Sequence, residues 1–69
     1  MNRQPVNSST ISSVGYDAAT ATLEVEFQTG QVYQYFDVPE HVYQELTNAS
    51  SPGAYLASNI KGVYRFART

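Results

Sequence analysis

The 69-residue chain has no cysteine and a single histidine, His41. Without cysteine there is neither a disulfide framework nor a thiolate metal site. One imidazole is too few for a His-based zinc site, so no bound metal and no cofactor is expected. Basic residues are scarce as well. Four Lys and Arg stand against six Asp and Glu, and the resulting formal charge of −2 has the wrong sign for a general polyanion binder. No apolar run approaches the roughly 20 residues that cross a bilayer, and no basic-then-apolar leader opens the chain. The expectation is a cytoplasmic domain with no membrane partner.

The content that remains is that of a folded domain. Hydrophobic residues make up 42% of the chain and charged ones only 14%, too apolar a mixture for a disordered tail. The length allows one domain. A domain this small buries only about 60% of its unfolded surface. Six tyrosines and three phenylalanines supply large buried areas per side chain. Self-association is the other common remedy for a small core.

Residues 1–8 are polar, carry Pro5 and lack periodicity, which predicts a loosely held arm ahead of a single domain over 9–67. A first strand follows around Ile11, Val14 and Tyr16, with its alternation slipping at Ser12 and Ser13 as at a bulge. Asp17-Ala18-Ala19-Thr20 reads as a turn, with Asp17 accepting from an amide two residues on. The strongest element runs from Ala21 to Phe27, where apolar and polar residues alternate without a break. Gln28-Thr29-Gly30 then provides a hairpin loop, and residues 31–38 the partner strand.

Two registers are open to that hairpin. A two-residue Thr29-Gly30 turn pairs Phe27 with Val32, sends Val32, Phe36 and Val38 inward, and leaves Tyr33 and Tyr35 outside opposite Glu26 and Glu24. A three-residue loop with a glycine bulge pairs Phe27 with Gln31 and turns both tyrosines to the core. The first is preferred because it buries more purely apolar side chains, although it also sends Gln34 inward.

Pro39 and Glu40 suit the start of a helix over 39–49, with Val42, Leu46 and Ala49 on one stripe. Ser51 and Pro52 open a second short helix carrying Leu56 and Ile60, which Gly62 is placed to end. Residues 63–67 alternate weakly and offer a short fourth strand. The expected fold class is α+β, a three-stranded antiparallel sheet with an optional carboxy-terminal fourth strand and two short helices on one face.

Catalytic chemistry finds little support in the residues. The serines form no GxSxG elbow, and no glycine pattern fits a phosphate loop. His41 falls in the first turn of a surface helix, and Glu24 and Glu26 are explained by the polar side of an alternating strand. The charge distribution says more. All six acids lie between Asp17 and Glu45, whereas Lys61, Arg65 and Arg68 follow at the end, interleaved with Tyr64 and Phe66. Cations that hold phosphate beside rings that stack on bases are the ingredients of a single-strand-binding surface. The same charges also serve as guards on an edge strand.

Val14-Gly15-Tyr16-Asp17, Thr22 to Phe27 and Gly30 to Pro39 together resemble the KTSC domain, in which a central YxY motif corresponds to Tyr33-Gln34-Tyr35. Val42-Tyr43, Leu46, Ala49-Ser50, Gly53, Tyr55 and Ile60 resemble its later half. This small module occurs at the carboxy-terminus of some lysyl-tRNA synthetases and as free-standing bacterial and phage proteins. The resemblance implies a non-enzymatic binding module, with RNA or an RNA-handling protein as partner. The candidate binding residues are Tyr33, Tyr35, Lys61, Tyr64, Arg65 and Arg68. The alternatives are a homo-oligomer associating through the Tyr33/Tyr35 face or the last strand, and an oligomer that holds a small nucleotide-like ligand between its subunits.

Overall fold

Uninterrupted alternation between Thr22 and Phe27 makes this segment the centre of a sheet, with Leu23 and Val25 fully buried. The computed structural model describes residues 2–69. Its sheet has five antiparallel strands in chain order: β1 Arg3–Pro5, β2 Ile11–Asp17, β3 Thr22–Phe27, β4 Val32–Tyr35 and β5 Phe66–Arg68. Helices α1 (Glu40–Asn48) and α2 (Pro52–Asn59) lie in the chain between β4 and β5. Val42, Leu46, Leu56 and Ile60 bring them into one core with Leu23, Val25, Ile11 and Val14 of the sheet. Burying each such side chain is worth about 1.5–3 kcal/mol, which is how the helices stay on a small sheet.

Several local expectations are met. The register between β2 and β3 shifts between Ile11 and Ser13, where the alternation slips. Asp17 Oδ1 accepts from the Ala19 amide at 3.0 Å and closes the β2–β3 turn. Pro52 occupies the first turn of α2, but the Ser51 hydroxyl caps no first-turn amide.

The strand count is larger than the expected three or four. Arg3–Pro5, anticipated within a loose arm, pair with β2 as Arg3 with Gly15, Gln4 with Val14 and Pro5 with Ser13. Met1, the first residue of that arm, lies outside the described residues. A three-residue edge strand that contains proline leaves no periodic signal, and proline is tolerated at an edge. Side chains from elsewhere in the fold hold it. Arg3 pairs with Glu24 of β3 at 3.4 Å, and the Gln4 amide donates to the Tyr43 hydroxyl at 2.9 Å. At the other edge β5 runs from Phe66 to Arg68, later than the 63–67 segment, because residues after α2 first turn back towards the sheet.

The hairpin takes the register that was not preferred. Val25 pairs with Tyr33 and Leu23 with Tyr35, while the Phe27 amide donates to the Gln31 carbonyl at 2.9 Å. Gly30 has φ of 93°, the conformation a glycine bulge requires after a three-residue loop. Gln34 thereby leaves the core side and donates to Glu24 at 3.1 Å on the polar face. Val38 still reaches the core, because Asp37 adopts φ of 58° and swings the chain back after Phe36.

At Gly15 β1 lies tight against β2. A Cβ there would lie 2.6 Å from the Asn2 carbonyl oxygen and 2.9 Å from Arg3 Cγ. Gly15→Ala is therefore expected to push β1 off the sheet and to cost about 1–3 kcal/mol in urea unfolding, with faster exchange of the Gln4 amide.

Candidate functional site

The register of β4 places Tyr33 and Tyr35 on the same face as Val25 and Leu23, beside the helices rather than on the open side. The helices do not reach across the whole of this face. Tyr35 is buried at 2% exposure, whereas Tyr33 is only half-buried. Tyr33 stands at the centre of a ring cluster. Phe27 meets it edge-on at 5.5 Å, Tyr35 is stacked at 6.4 Å and Phe66 of β5 is stacked at 5.6 Å. Phe66 also lies 6.0 Å from Tyr35. Separations in this range are favourable for aromatic pairs. Burial, followed by the neighbouring Tyr33, raises the Tyr35 phenol above its ordinary value, so Tyr35 is a neutral ring at physiological pH.

A hollow of about 420 Å³ opens beside these rings. Phe27, Tyr33 and Tyr35 form its apolar part, the β3–β4 turn contributes Gln28, Thr29 and Gln31, and Ser9 and Thr10 close one side. Lys61, two residues after the end of α2, completes the lining. The turn is braced by the Gln28 side chain, which donates to the Ser8 carbonyl at 3.1 Å and to the Ile11 carbonyl at 3.3 Å. No Asp or Glu among the described residues lines the hollow.

Electrostatic separation across the sheet accounts for that composition. Glu24 and Glu26 project to the opposite face, where Glu24 meets Arg3 and Gln34 and Glu26 accepts from Ser13 at 3.0 Å. The expectation that these carboxylates lie beside an outward YxY is therefore overturned, since the rings and the acids alternate along the strands and fall on different faces. Arg65 pairs with Asp37 at 2.8 Å, with its guanidinium 5.8 Å from the Phe36 ring centre. Among the described residues, Lys61 and Arg68 have no carboxylate partner.

Of the six sequence-selected residues, Tyr33, Tyr35 and Lys61 meet in the hollow, and Arg68 is opposite Tyr33 in β5. Tyr64 packs half-buried against the core instead, and Arg65 belongs to the Asp37 pair on the other side of the last strand. Phe27, Phe66, Thr10 and Gln31 were not selected from the sequence. Phe27 shares the odd-numbered face of β3 with Val25, which would have marked it once the register was known. The others depend on β5 and on the approach of the Ser9-Thr10 segment. His41 is exposed in the first turn of α1.

These features define a small α+β domain built on a five-stranded antiparallel meander, with an aromatic hollow at the side the helices leave open. The family model of the KTSC domain matches residues 7–64, and the chain belongs to that family. A solved KTSC domain protein from Yersinia pestis is 40% identical, superposes with a TM-score of 0.96 and is matched over 99% of this chain and 96% of its own. A protein from Stutzerimonas stutzeri is 41% identical over 99% of this chain and 97% of its own. A lysine–tRNA ligase from Nostoc punctiforme is 43% identical over 84% of this chain, which spans only 10% of that ligase.

Three tyrosines link the fold to pH. The Tyr55 hydroxyl donates to Glu45 at 2.6 Å, and this bond, helped by burial and the carboxylate charge, pushes its pKa up to about 12. Tyr16, which donates to the Val38 carbonyl, is raised by burial and then by Glu40 and Asp17. Tyr35 is raised as well. Unfolded tyrosines ionise near pH 10. A raised folded pKa means that the unfolded chain releases these protons first, so the stabilisation is complete below about pH 10 and is lost as pH rises through each folded value, which for Tyr55 is about 12. Urea unfolding between those limits is expected to show the decline, with Tyr55→Phe making it shallower.

Proposed function

We propose that this chain is a non-catalytic module that binds single-stranded RNA across the ring cluster of Tyr33, Tyr35, Phe27 and Phe66. The observation that carries the reading is the placement of the two cations that lack a carboxylate partner among the described residues. Lys61 lines the hollow and Arg68 flanks Tyr33 from β5. Rings that stack on bases between cations that hold phosphate form a single-strand platform, and stacking contributes about 1–3 kcal/mol per base. The carboxylates of Glu24 and Glu26, which would repel phosphate, are occupied on the opposite face. The family's occurrence in lysine–tRNA ligases agrees with an RNA partner. Fluorescence anisotropy of a labelled single-stranded RNA at about 50 and 200 mM salt tests the reading. Saturable binding that weakens steeply with salt is expected. Lys61→Ala with Arg68→Ala should lower affinity at least about tenfold, while Arg65→Ala leaves it unchanged. Absence of binding at the lower salt overturns the proposal.

A second reading, self-association along β5, is favoured by Val63 and Phe66, which are 62% and 58% exposed and line one open hollow near that edge. An edge strand with apolar neighbours is a template for pairing with a second copy. Light scattering over a range of concentrations is expected to show a dimer that Phe66→Glu dissociates, and a strict monomer at high concentration excludes it.

A further inference from the structure

The hollow has the size and chemistry of a site for one small ligand, not only of a groove along which a strand passes. Its volume of about 420 Å³ falls within the range of about 300–1,000 Å³ typical of small-molecule sites. We infer that it is a subsite for one nucleoside monophosphate unit, with the base against Phe27 and Tyr33 and the phosphate on Lys61. This rests on the reading above that the ring cluster stacks nucleobases. Three observations lead to it. The apolar part consists of aromatic rings, and every nucleobase has a π-face to lay on them. The wall includes the polar residues Thr10, Gln28 and Gln31, a lining suited to the polar edge of a base. The one charged residue of the lining is Lys61, and among the described residues it pairs with no carboxylate. All of these groups come from a single chain, so the subsite needs no second copy to complete it.

The shared chemistry is a phosphorylated nucleoside, and it has two sources: a free nucleotide, or one residue of an RNA strand whose next phosphate continues towards Arg68. Amide spectra of the ¹⁵N-labelled protein separate them when AMP, UMP, adenosine, uridine, inorganic phosphate and a single-stranded RNA are titrated in at about 50 mM salt. The monophosphates are expected to shift the amides of Thr10, Gln31, Tyr33 and Lys61, and to bind about tenfold more tightly than the nucleosides. Lys61→Ala should erase that difference without unfolding the domain, because Lys61 is exposed. Lys61→Arg should restore it. If RNA binds while AMP and UMP leave the spectrum unchanged at about 10 mM, the subsite is overturned and the RNA reading survives. If the monophosphates bind and RNA does not, the RNA reading falls and the subsite stands. Equal binding of AMP and inorganic phosphate, or a phosphate preference that survives Lys61→Ala, also overturns the subsite. Silence from all of them overturns both.

Discussion

The loop Gln28-Thr29-Gly30 determines which side of the sheet each residue of β4 occupies, and β5 is aligned on β4. Gly30 at φ of 93° gives the hairpin three loop residues, and the pairing of Val25 with Tyr33 follows from it. Side chains alternate with a period of two, so a loop one residue shorter would exchange the faces of Tyr33 and Gln34. Tyr35 would then lose its buried place against Leu23, and Gln34 would enter the core with its amide unpaired. In the observed register the same amide is bonded to Glu24. A buried polar group without a partner is costly, which makes the observed register the one the whole side-chain set can satisfy.

Charge separation follows from that choice. Glu24 and Glu26 alternate with Leu23 and Val25, and therefore occupy the face away from the helices, where Arg3 and Ser13 meet them. Through the Arg3 side chain, β1 thus reaches from one edge to the acidic centre of the sheet. Exposed ion pairs contribute little on their own, so the Arg65–Asp37 pair matters mostly for where it holds the guanidinium. The positive charge left beside the rings is that of Lys61 and Arg68, whose positions come from the end of α2 and from β5.

Relatives use the fold at very different scales. The chain spans a tenth of a lysine–tRNA ligase and nearly the whole of the Stutzerimonas stutzeri protein. A module that carries its own core and its own hollow has the physical properties for both settings. Its helical half packs on the sheet through Leu46, Leu56 and Ile60. Nine-tenths of such a ligase has no counterpart here, and the shared part is the domain alone.

The sequence by itself determined the class of fold and the identity of its central elements. Alternation between Ala21 and Phe27, the stripe of Val42 and Leu46, and the Pro52 start of α2 are local signals that tertiary contacts only reinforce. The bulge near Ser12 and the Asp17 turn were legible for the same reason. Of the site, Tyr33, Tyr35 and Lys61 stood out by residue type, and the YxY spacing tied the two rings to one face. Tertiary structure decided the rest. β1 has three residues and a proline, so its place depends on the close approach at Gly15 and on partners in β3 and α1. The hairpin register turned on Gly30 and on the pairing of Gln34, two features that simple counting of apolar side chains does not weigh. Phe66 and Arg68 join the rings only because β5 returns alongside β4, some thirty residues later in the chain, and a contact at that separation leaves no local pattern to read.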